Sequence, residues 1–199
     1  MGNLIRTFFL FLGAVFALLL FVGGVFGYLI TGPAPVYEGT VDVAVSPAAA
    51  ERFDSKIEAL KEEIALAQST GYPREIAMTF TEEEASSWVA ALAEDNELPV
   101  SMKFIQIQFR DGVVQASATA DMVVDVHVVT QAQIAVSEGK PDISVQNLHL
   151  GRLPIPQTLT NQVMVALMTE LEQRYDGFPI ELQDVAVEGG ELTITGVTR

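Results

Sequence analysis

Between residues 113 and 136 the sequence alternates apolar and polar side chains more regularly than anywhere else in the chain. The apolar side chains occupy even positions, namely Val114, Ala116, Ala118, Ala120, Met122, Val124, Val126, Val128, Ala132, Ile134 and Val136. A period of two places these side chains on one face of an antiparallel sheet and leaves the polar odd positions on the face that meets water. One straight strand of this length would extend roughly 80 Å. We therefore expect the chain to bend sharply or to reverse direction between Asp121 and Thr130.

Further strands and three helices are predicted on both sides of this segment. Strands are expected at 36–45, 76–80, 102–109, 142–150, 179–187 and 191–197, with turns at 110–112, 138–141 and 189–190. Apolar residues at spacings of three and four indicate helices at 47–69, 82–92 and 157–175. This order of elements favours an α+β fold, in which amphipathic helices pack on one curled antiparallel sheet.

The chain carries no charged side chain from Phe8 to Ile30. A helix over this run would reach roughly 34 Å, which is enough to cross a bilayer. We therefore expect an uncleaved transmembrane anchor at residues 1–31. A linker, a short strand and an amphipathic helix would follow at 32–73, and a domain of antiparallel sheet plus helix at 74–199.

The residues that flank and interrupt this run predict its orientation and its contacts. Arg6 precedes it and Asp42 follows it, and basic residues favour the cytoplasmic side of a membrane. We therefore expect a single-pass protein of the cell membrane with a cytoplasmic N-terminus and an extracytoplasmic C-terminal domain. The small residues within the run are Gly13, Ala17, Gly23 and Gly27. They either allow close packing against a membrane-protein partner or a second copy, or reflect the usual frequency of glycine in membrane helices.

The net charge of the chain is −15, which limits its partners. An acidic protein is repelled by the phosphate groups of nucleic acids, so no nucleic-acid partner is expected. The chain also has no cysteine, which excludes disulfides and thiolate chemistry.

No arrangement of side chains predicts an active site. Thr81 and Glu84 have the spacing of a capping box, so the acidic cluster 82–84 is interpreted as a helix N-terminus and not as a metal site. Asp121, Asp125 and His127 share the polar face of a strand, but only the last two are close enough to share a ligand. We therefore predict a protein that is not an enzyme and has no catalytic residues, metal site or cofactor.

Several segments, taken in order, resemble a known family. They are Phe80-Thr81-Glu82-Glu83-Glu84, the Asp111-Gly112 turn with its alternating strands, Leu148 to Pro156, and a last hairpin ending Leu192-Thr193-Ile194-Thr195-Gly196. This order is similar to that of the LmeA-like phospholipid-binding proteins, which are thought to be similar to the tubular lipid-binding (TULIP) superfamily. The resemblance covers about residues 74–198, and its most specific part is Gly-x-Leu-Pro-x-Pro at 151–156. The helix at 47–69 has no counterpart in the family pattern.

The resemblance implies a TULIP-like roll, a curled sheet around a helix with an apolar groove for acyl chains and no catalytic residues. The alanines at 116, 118 and 120 agree with this, because the space that they leave either holds a ligand or lets a helix pack closely. The expected groove residues are Val114, Ala116, Ala118, Ala120, Met122, Val124, Leu159, Val163 and Leu167. We expect a membrane-anchored protein that binds a membrane lipid or another long apolar ligand between the sheet and the helix at 157–175. The alternative is an accessory or scaffold subunit of a larger membrane complex.

Overall fold

The computed structural model describes residues 27–30, 32–33, 35, 42–95, 101–121, 124–158, 160–161 and 180–198. Within these ranges the longer helices are α1 (Pro47–Thr70) and α2 (Glu82–Glu94). The strands are β1 (Glu75–Thr81), β2 (Met102–Arg110), β3 (Val113–Asp121), β4 (Asp125–Ser137), β5 (Lys140–Leu150), β6 (Leu153–Pro154), β7 (Ile180–Glu188) and β8 (Glu191–Thr198). Residues 27–30, 157–158 and 160–161 are helical as well.

The larger of two sheets is an antiparallel meander of five strands in the order β2-β3-β4-β5-β6. Strands β3 and β4 pair from Val113 opposite Gln133 to Asp121 opposite Asp125. The predicted reversal after Asp121 is therefore confirmed. Tight turns at 111–112 and 138–139 join the neighbouring pairs of strands, as the Gly-containing sequences at these places predicted.

The smaller sheet has the order β1-β8-β7. Strand β1 pairs along β8 from Glu75 opposite Val197 to Thr81 opposite Glu191, so its partner is the last strand of the described chain. The prediction of one curled sheet around a helix is therefore wrong, because the strands form two separate sheets. Alternation of side chains distinguishes the two faces of a strand, but it does not specify which distant strand pairs with it.

Strand β7 joins the two sheets through hydrogen bonds to the hairpin turns of the larger sheet. Gly112 N–H donates to the Val187 carbonyl at 2.8 Å, and Leu182 N–H donates to the Gly139 carbonyl at 2.9 Å. The turns at 111–112 and 138–139 therefore satisfy backbone groups on the edge of β7 with which no strand of the described ranges pairs.

Two apolar clusters form the core at this junction. The first cluster is Ile76, Ile180 and Leu182, and Val136 of β4 packs against it. The second is Ala85, Phe109 and Val187, with Val114 and Leu192 packed against it. Both clusters combine residues of the two sheets, so apolar burial holds the sheets together.

Helix α1 matches the prediction of a helix at 47–69. The Ser46 side chain accepts a hydrogen bond from Ala49 N–H at 3.2 Å at its start, and Gly71 ends it in a left-handed conformation. Phe53 stacks on Trp88 of α2 with 4.7 Å between ring centroids. Helix α1 therefore lies against α2.

Helix α2 begins with the capping box that the sequence predicts. Glu84 N–H donates to the Thr81 hydroxyl at 3.2 Å, and Thr81 N–H donates to the Glu84 carboxylate at 3.0 Å. The same carboxylate lies 2.6 Å from Lys56 Nζ and 3.5 Å from Arg52 Nε. Glu84 is 3% exposed, so the acidic cluster includes a buried structural carboxylate.

The structure does not support the predicted membrane anchor. In the part of the chain that is described, no helix is both long enough and apolar enough to cross a membrane. The predicted transmembrane helix, the single-pass topology and the membrane localisation are therefore not supported by the described part of the chain. Residues 1–26 lie outside the described ranges, and they include Gly13, Ala17 and Gly23.

The described end of the predicted anchor contacts the larger sheet. Arg152 N–H donates to the Leu29 carbonyl at 2.7 Å, and the Arg152 guanidinium lies 4.5 Å from the centre of the Tyr28 ring. The fourth small residue, Gly27, has nothing within 4 Å of where a Cβ would lie. An apolar run in a sequence does not by itself distinguish burial against protein from burial in lipid.

Candidate ligand-binding cavity

A cavity of about 570 Å³ opens on the face of the larger sheet that carries the polar side chains. Polar side chains from three strands line it, namely Gln106, Gln108, Gln115, Ser117, Thr119 and His127. The other lining residues are Pro33, Pro35, Asp42, Phe104, Ala118, Val128 and Val129. The cavity thus combines hydrogen-bonding groups with apolar surface.

The register of the sheet brings the polar side chains together. Gln106 lies opposite Ser117, Gln108 opposite Gln115, and Thr119 opposite His127. Side chains of residues directly opposite each other in an antiparallel pair point to the same face. These three cross-strand pairs therefore form one continuous polar surface, which we call the polar floor of the cavity.

Three of the six side chains of the polar floor are buried, whereas His127 is exposed. Gln108, Gln115 and Thr119 are 2%, 7% and 5% exposed. The prediction that the odd positions of this segment face water is therefore wrong at Gln115 and Thr119. Parts of the chain remote in sequence cover this face, and alternation alone carries no information about them.

An extended strap, residues 42–46, forms one side of the cavity. Val43 N–H donates to Gln106 Oε1 at 2.6 Å, and Gln106 Nε2 donates to the Val43 carbonyl at 3.1 Å. Ser46 N–H donates to Ser87 Oγ at 3.0 Å. These bonds tie the strap to β2 and α2 and hold Asp42 at the cavity.

Phe104 lies at the cavity in an unusual backbone conformation. Its φ is +53°, which is rare for an aromatic residue. The register of β2 on β3 shifts between Lys103 and Gln106, so Phe104 lies within a bulge. The side chain is 80% exposed, and the bulge thus turns an apolar ring toward solvent at the cavity.

The neighbouring residue, Lys103, is paired and does not line the cavity. Its ammonium group donates to Asp121 Oδ2 at 2.6 Å. This hydrogen bond, the charge of Asp121 and the more distant charge of Asp125 raise the pKa of Lys103 above its ordinary value. The positive charge of Lys103 is therefore balanced by carboxylates at the end of the sheet.

Thr119 and His127 form the pair in the cavity that is closest to a catalytic geometry. Thr119 Oγ1 and His127 Nδ1 lie 3.1 Å apart, a distance at which an imidazole can activate a hydroxyl. A catalytic pair also needs a group that orients the imidazole, and among the hydrogen bonds of the described residues there is none in which a carboxylate accepts from His127. In the described ranges, no group of three His, Asp or Glu residues could hold a metal ion.

The structure separates the predicted groove residues. Ala118 lines the cavity, whereas Val114 packs on the cluster around Phe109. Ala120 is 2% exposed, Ala116 lies opposite Ile107 of β2, and Val124 is 47% exposed at the bend before β4. Met122, Leu159, Val163 and Leu167 lie outside the described residues.

Sequence reasoning missed the glutamines, Ser117 and Asp42 as cavity residues. One signal could have indicated the floor. The central part of the polar face of β2 and β3 carries Gln106, Gln108, Gln115, Ser117 and Thr119 without a charge, and charged residues lie only at the strand ends, whereas a face in contact with water usually carries lysine and glutamate. No sequence signal predicts that the strap at 42–46 crosses to this face.

The fold and the cavity define a class of protein, a two-sheet antiparallel structure with a ligand-sized cavity on its larger sheet. No protein family, curated protein or solved structure that was compared with this chain matches it. The resemblance to the LmeA-like proteins therefore stays a prediction.

Proposed function

We propose that this chain is a non-catalytic binding protein that holds an amphiphilic small molecule in the cavity of the larger sheet. The observation that carries the proposal is the cavity volume of about 570 Å³ together with its mixed lining. Small-molecule sites in proteins typically have volumes of roughly 300–1,000 Å³, with mainly apolar walls and a few placed polar groups.

The lining supports a ligand with two chemically different parts. Phe104, Val128 and Val129 offer apolar surface that would remove a hydrocarbon body from water. The amides and hydroxyls of the floor can both donate and accept hydrogen bonds. A molecule with an apolar body and one hydrogen-bonding group would use both, and a single-chain lipid belongs to this class.

The cavity size sets an approximate affinity. A volume of about 570 Å³ equals that of about nineteen water molecules at roughly 30 Å³ each. Drug-sized ligands gain about 0.3 kcal/mol of binding free energy per heavy atom. A ligand with a similar number of heavy atoms would therefore have a binding free energy of roughly 6 kcal/mol in its favour. This free energy corresponds to a Kd of tens of micromolar.

Titration of the full chain with N-phenyl-1-naphthylamine tests the proposal. This probe is uncharged, has an apolar body with one N–H donor, and becomes fluorescent when it leaves water. We expect saturable binding with a Kd of roughly 10–300 μM. The absence of saturable fluorescence up to the solubility limit of the probe would contradict the proposal.

A pair of matched variants locates the binding site. Ser117→Phe places a large ring in the cavity, and we expect it to weaken probe binding at least tenfold. Ser144→Phe makes the same change at an exposed position of β5 that does not line the cavity, and we expect unchanged binding. Equal effects of the two substitutions would show that the probe binds elsewhere.

A further inference from the structure

Resting on the proposed function, we infer that the cavity selects amphiphiles whose polar group is positively charged and rejects those whose polar group is an anion. The recognising groups are the Asp42 carboxylate and the face of the Phe104 ring, which both line the cavity. A carboxylate attracts a cation by charge, and an aromatic face attracts it through the quadrupole of the ring.

The charges of the cavity lining and the net charge of the neighbouring depression favour this preference. Asp42 is the one carboxylate among the described lining residues, and no lysine or arginine is among them. Asp42 also borders a neighbouring depression with Glu82, Glu83, Glu191 and Arg110. The Arg110 guanidinium lies 3.6 Å from the Glu82 carboxylate, so the depression keeps an excess of negative charge.

Two basic side chains that lie close to cavity residues in sequence or in space already have partners. Lys103, beside Phe104 in sequence, is hydrogen-bonded to Asp121 at 2.6 Å. Arg152 lies near the segment that contains Pro33, and its guanidinium packs on the Tyr28 ring at 4.5 Å from the centroid. An anionic head group at the cavity would therefore meet the Asp42 carboxylate, while the ammonium of Lys103 is already paired with Asp121.

The backbone at Phe104 is independent support. A positive φ at an aromatic residue is costly and persists where the surrounding structure enforces it, often at ligand sites. In this protein it leaves the ring 80% exposed at the cavity. An exposed ring is unfavourable for stability alone, but it leaves the π face open for a cation.

Three competitors with the same decyl chain test the inference by displacement of N-phenyl-1-naphthylamine. They are decyltrimethylammonium, 1-decanol and decanoate, and they differ in the charge of the polar group. We expect decyltrimethylammonium to bind about threefold to tenfold more tightly than 1-decanol, and decanoate to bind most weakly. Equal displacement by all three would overturn the inference and leave the proposed function intact. Failure of the probe itself to bind would instead contradict the proposed function.

Two variants and one control variant test whether Asp42 and Phe104 cause the preference for the cationic amphiphile. Asp42→Asn and Phe104→Leu should each lower the preference for the cation over 1-decanol about twofold to fivefold. Leucine keeps the apolar bulk and the backbone strain of Phe104 but lacks the π face. Asp142→Asn, at an exposed position of β5 outside the cavity, makes the same charge change as Asp42→Asn and should leave the preference unchanged. An equal loss in Asp142→Asn would attribute the preference to net charge and overturn the inference.

Discussion

At the scale of single residues, Glu84 shows how this acidic chain buries a carboxylate. Burial is the largest single influence on its pKa and raises it. The hydrogen bonds from Lys56 and from the Thr81 backbone, with the charges of Lys56 and Arg52, together outweigh burial, so the pKa lies below its ordinary value of 4.5. A carboxyl group with a lowered pKa stabilises the folded state when ionised, and this contribution is lost as the pH falls through the lowered value.

Glu84→Gln should lower the free energy of unfolding at pH 7 by about 1–3 kcal/mol, because Lys56 and Arg52 lose a buried partner. It should also make the loss of stability below about pH 4.5 shallower than in the unmodified chain. Urea denaturation between pH 3 and pH 7 measures both effects. Glu58→Gln is the control, since Glu58 pairs with Lys61 on the surface and should cost less than about 0.5 kcal/mol. Parallel acid profiles for the chain and for Glu84→Gln would refute this account.

Gly151 and Gly189 have similar positive φ values but differ in the space available for a Cβ atom, so substitutions at the two positions can be compared. Their φ values are +58° and +62°, but a Cβ at 151 would collide with the Ile30 carbonyl, whereas one at 189 would meet nothing within 4 Å. Gly189→Ala should therefore cost only the strain, about 1–2 kcal/mol. Gly151→Ala should cost at least about 1 kcal/mol more, or displace residues 27–30. Thermal denaturation compares the two, and equal losses would show that the contact with Ile30 contributes nothing.

At the scale of elements, helix α2 covers the free edge of strand β2. Ile107 N–H donates to Ser86 Oγ at 2.8 Å, and Phe109 N–H donates to Glu82 Oε1 at 2.8 Å. An uncovered edge strand presents backbone groups that pair with other chains. The polar side chains of α2 therefore satisfy an edge that no strand of the described chain pairs.

Ser86→Ala tests this role of α2. Ser86 is 0% exposed, so the substitution would leave the Ile107 N–H buried without a partner and cost about 1–3 kcal/mol. The Ile107 amide should also exchange with deuterium faster. Ser55→Ala, on the exposed face of α1, removes a hydroxyl that bonds only Glu51 O and should change stability by less than about 0.5 kcal/mol. Unchanged exchange at Ile107 would count against the hydrogen bond to Ser86.

At the scale of the whole molecule, the contacts of β7 with the larger sheet indicate that the two sheets are coupled. We therefore expect the two sheets to unfold together. Leu182 is 7% exposed in the cluster at the junction, and Leu182→Ala should cost about 2–4 kcal/mol. Fluorescence of Trp88 in α2 reports on the larger sheet, to which α2 is hydrogen-bonded, and hydrogen exchange of the β8 amides as a function of urea concentration reports on the smaller sheet. Both transitions should shift by the same amount, whereas Leu66→Ala, at a side chain 43% exposed, should shift neither strongly. Separate transitions would show that the sheets are independent.

The strands, turns and caps were predictable to different extents. Helix α1, the Thr81 capping box and the reversal after Asp121 were predicted because their causes lie within a few residues of each other. The pairing of β1 with β8, the burial of Gln115 and the position of Asp42 were not, since each depends on contacts between distant parts of the chain. For the candidate site, the sequence predicted a groove on the apolar face of this segment, whereas the described cavity opens on its polar face, so the predicted groove stays a prediction.

By itself, the sequence determined local conformation and the alternation of side chains, because backbone hydrogen bonds, capping groups and turn residues act over short separations. Only the tertiary structure decided that the strands divide into two sheets and that the strap at 42–46 crosses to the polar face. It also decided that the cavity opens there, lined partly by buried amides. The physical reason is that a period of two distinguishes the two faces of a strand, whereas the burial of each face depends on which distant segments pack against it.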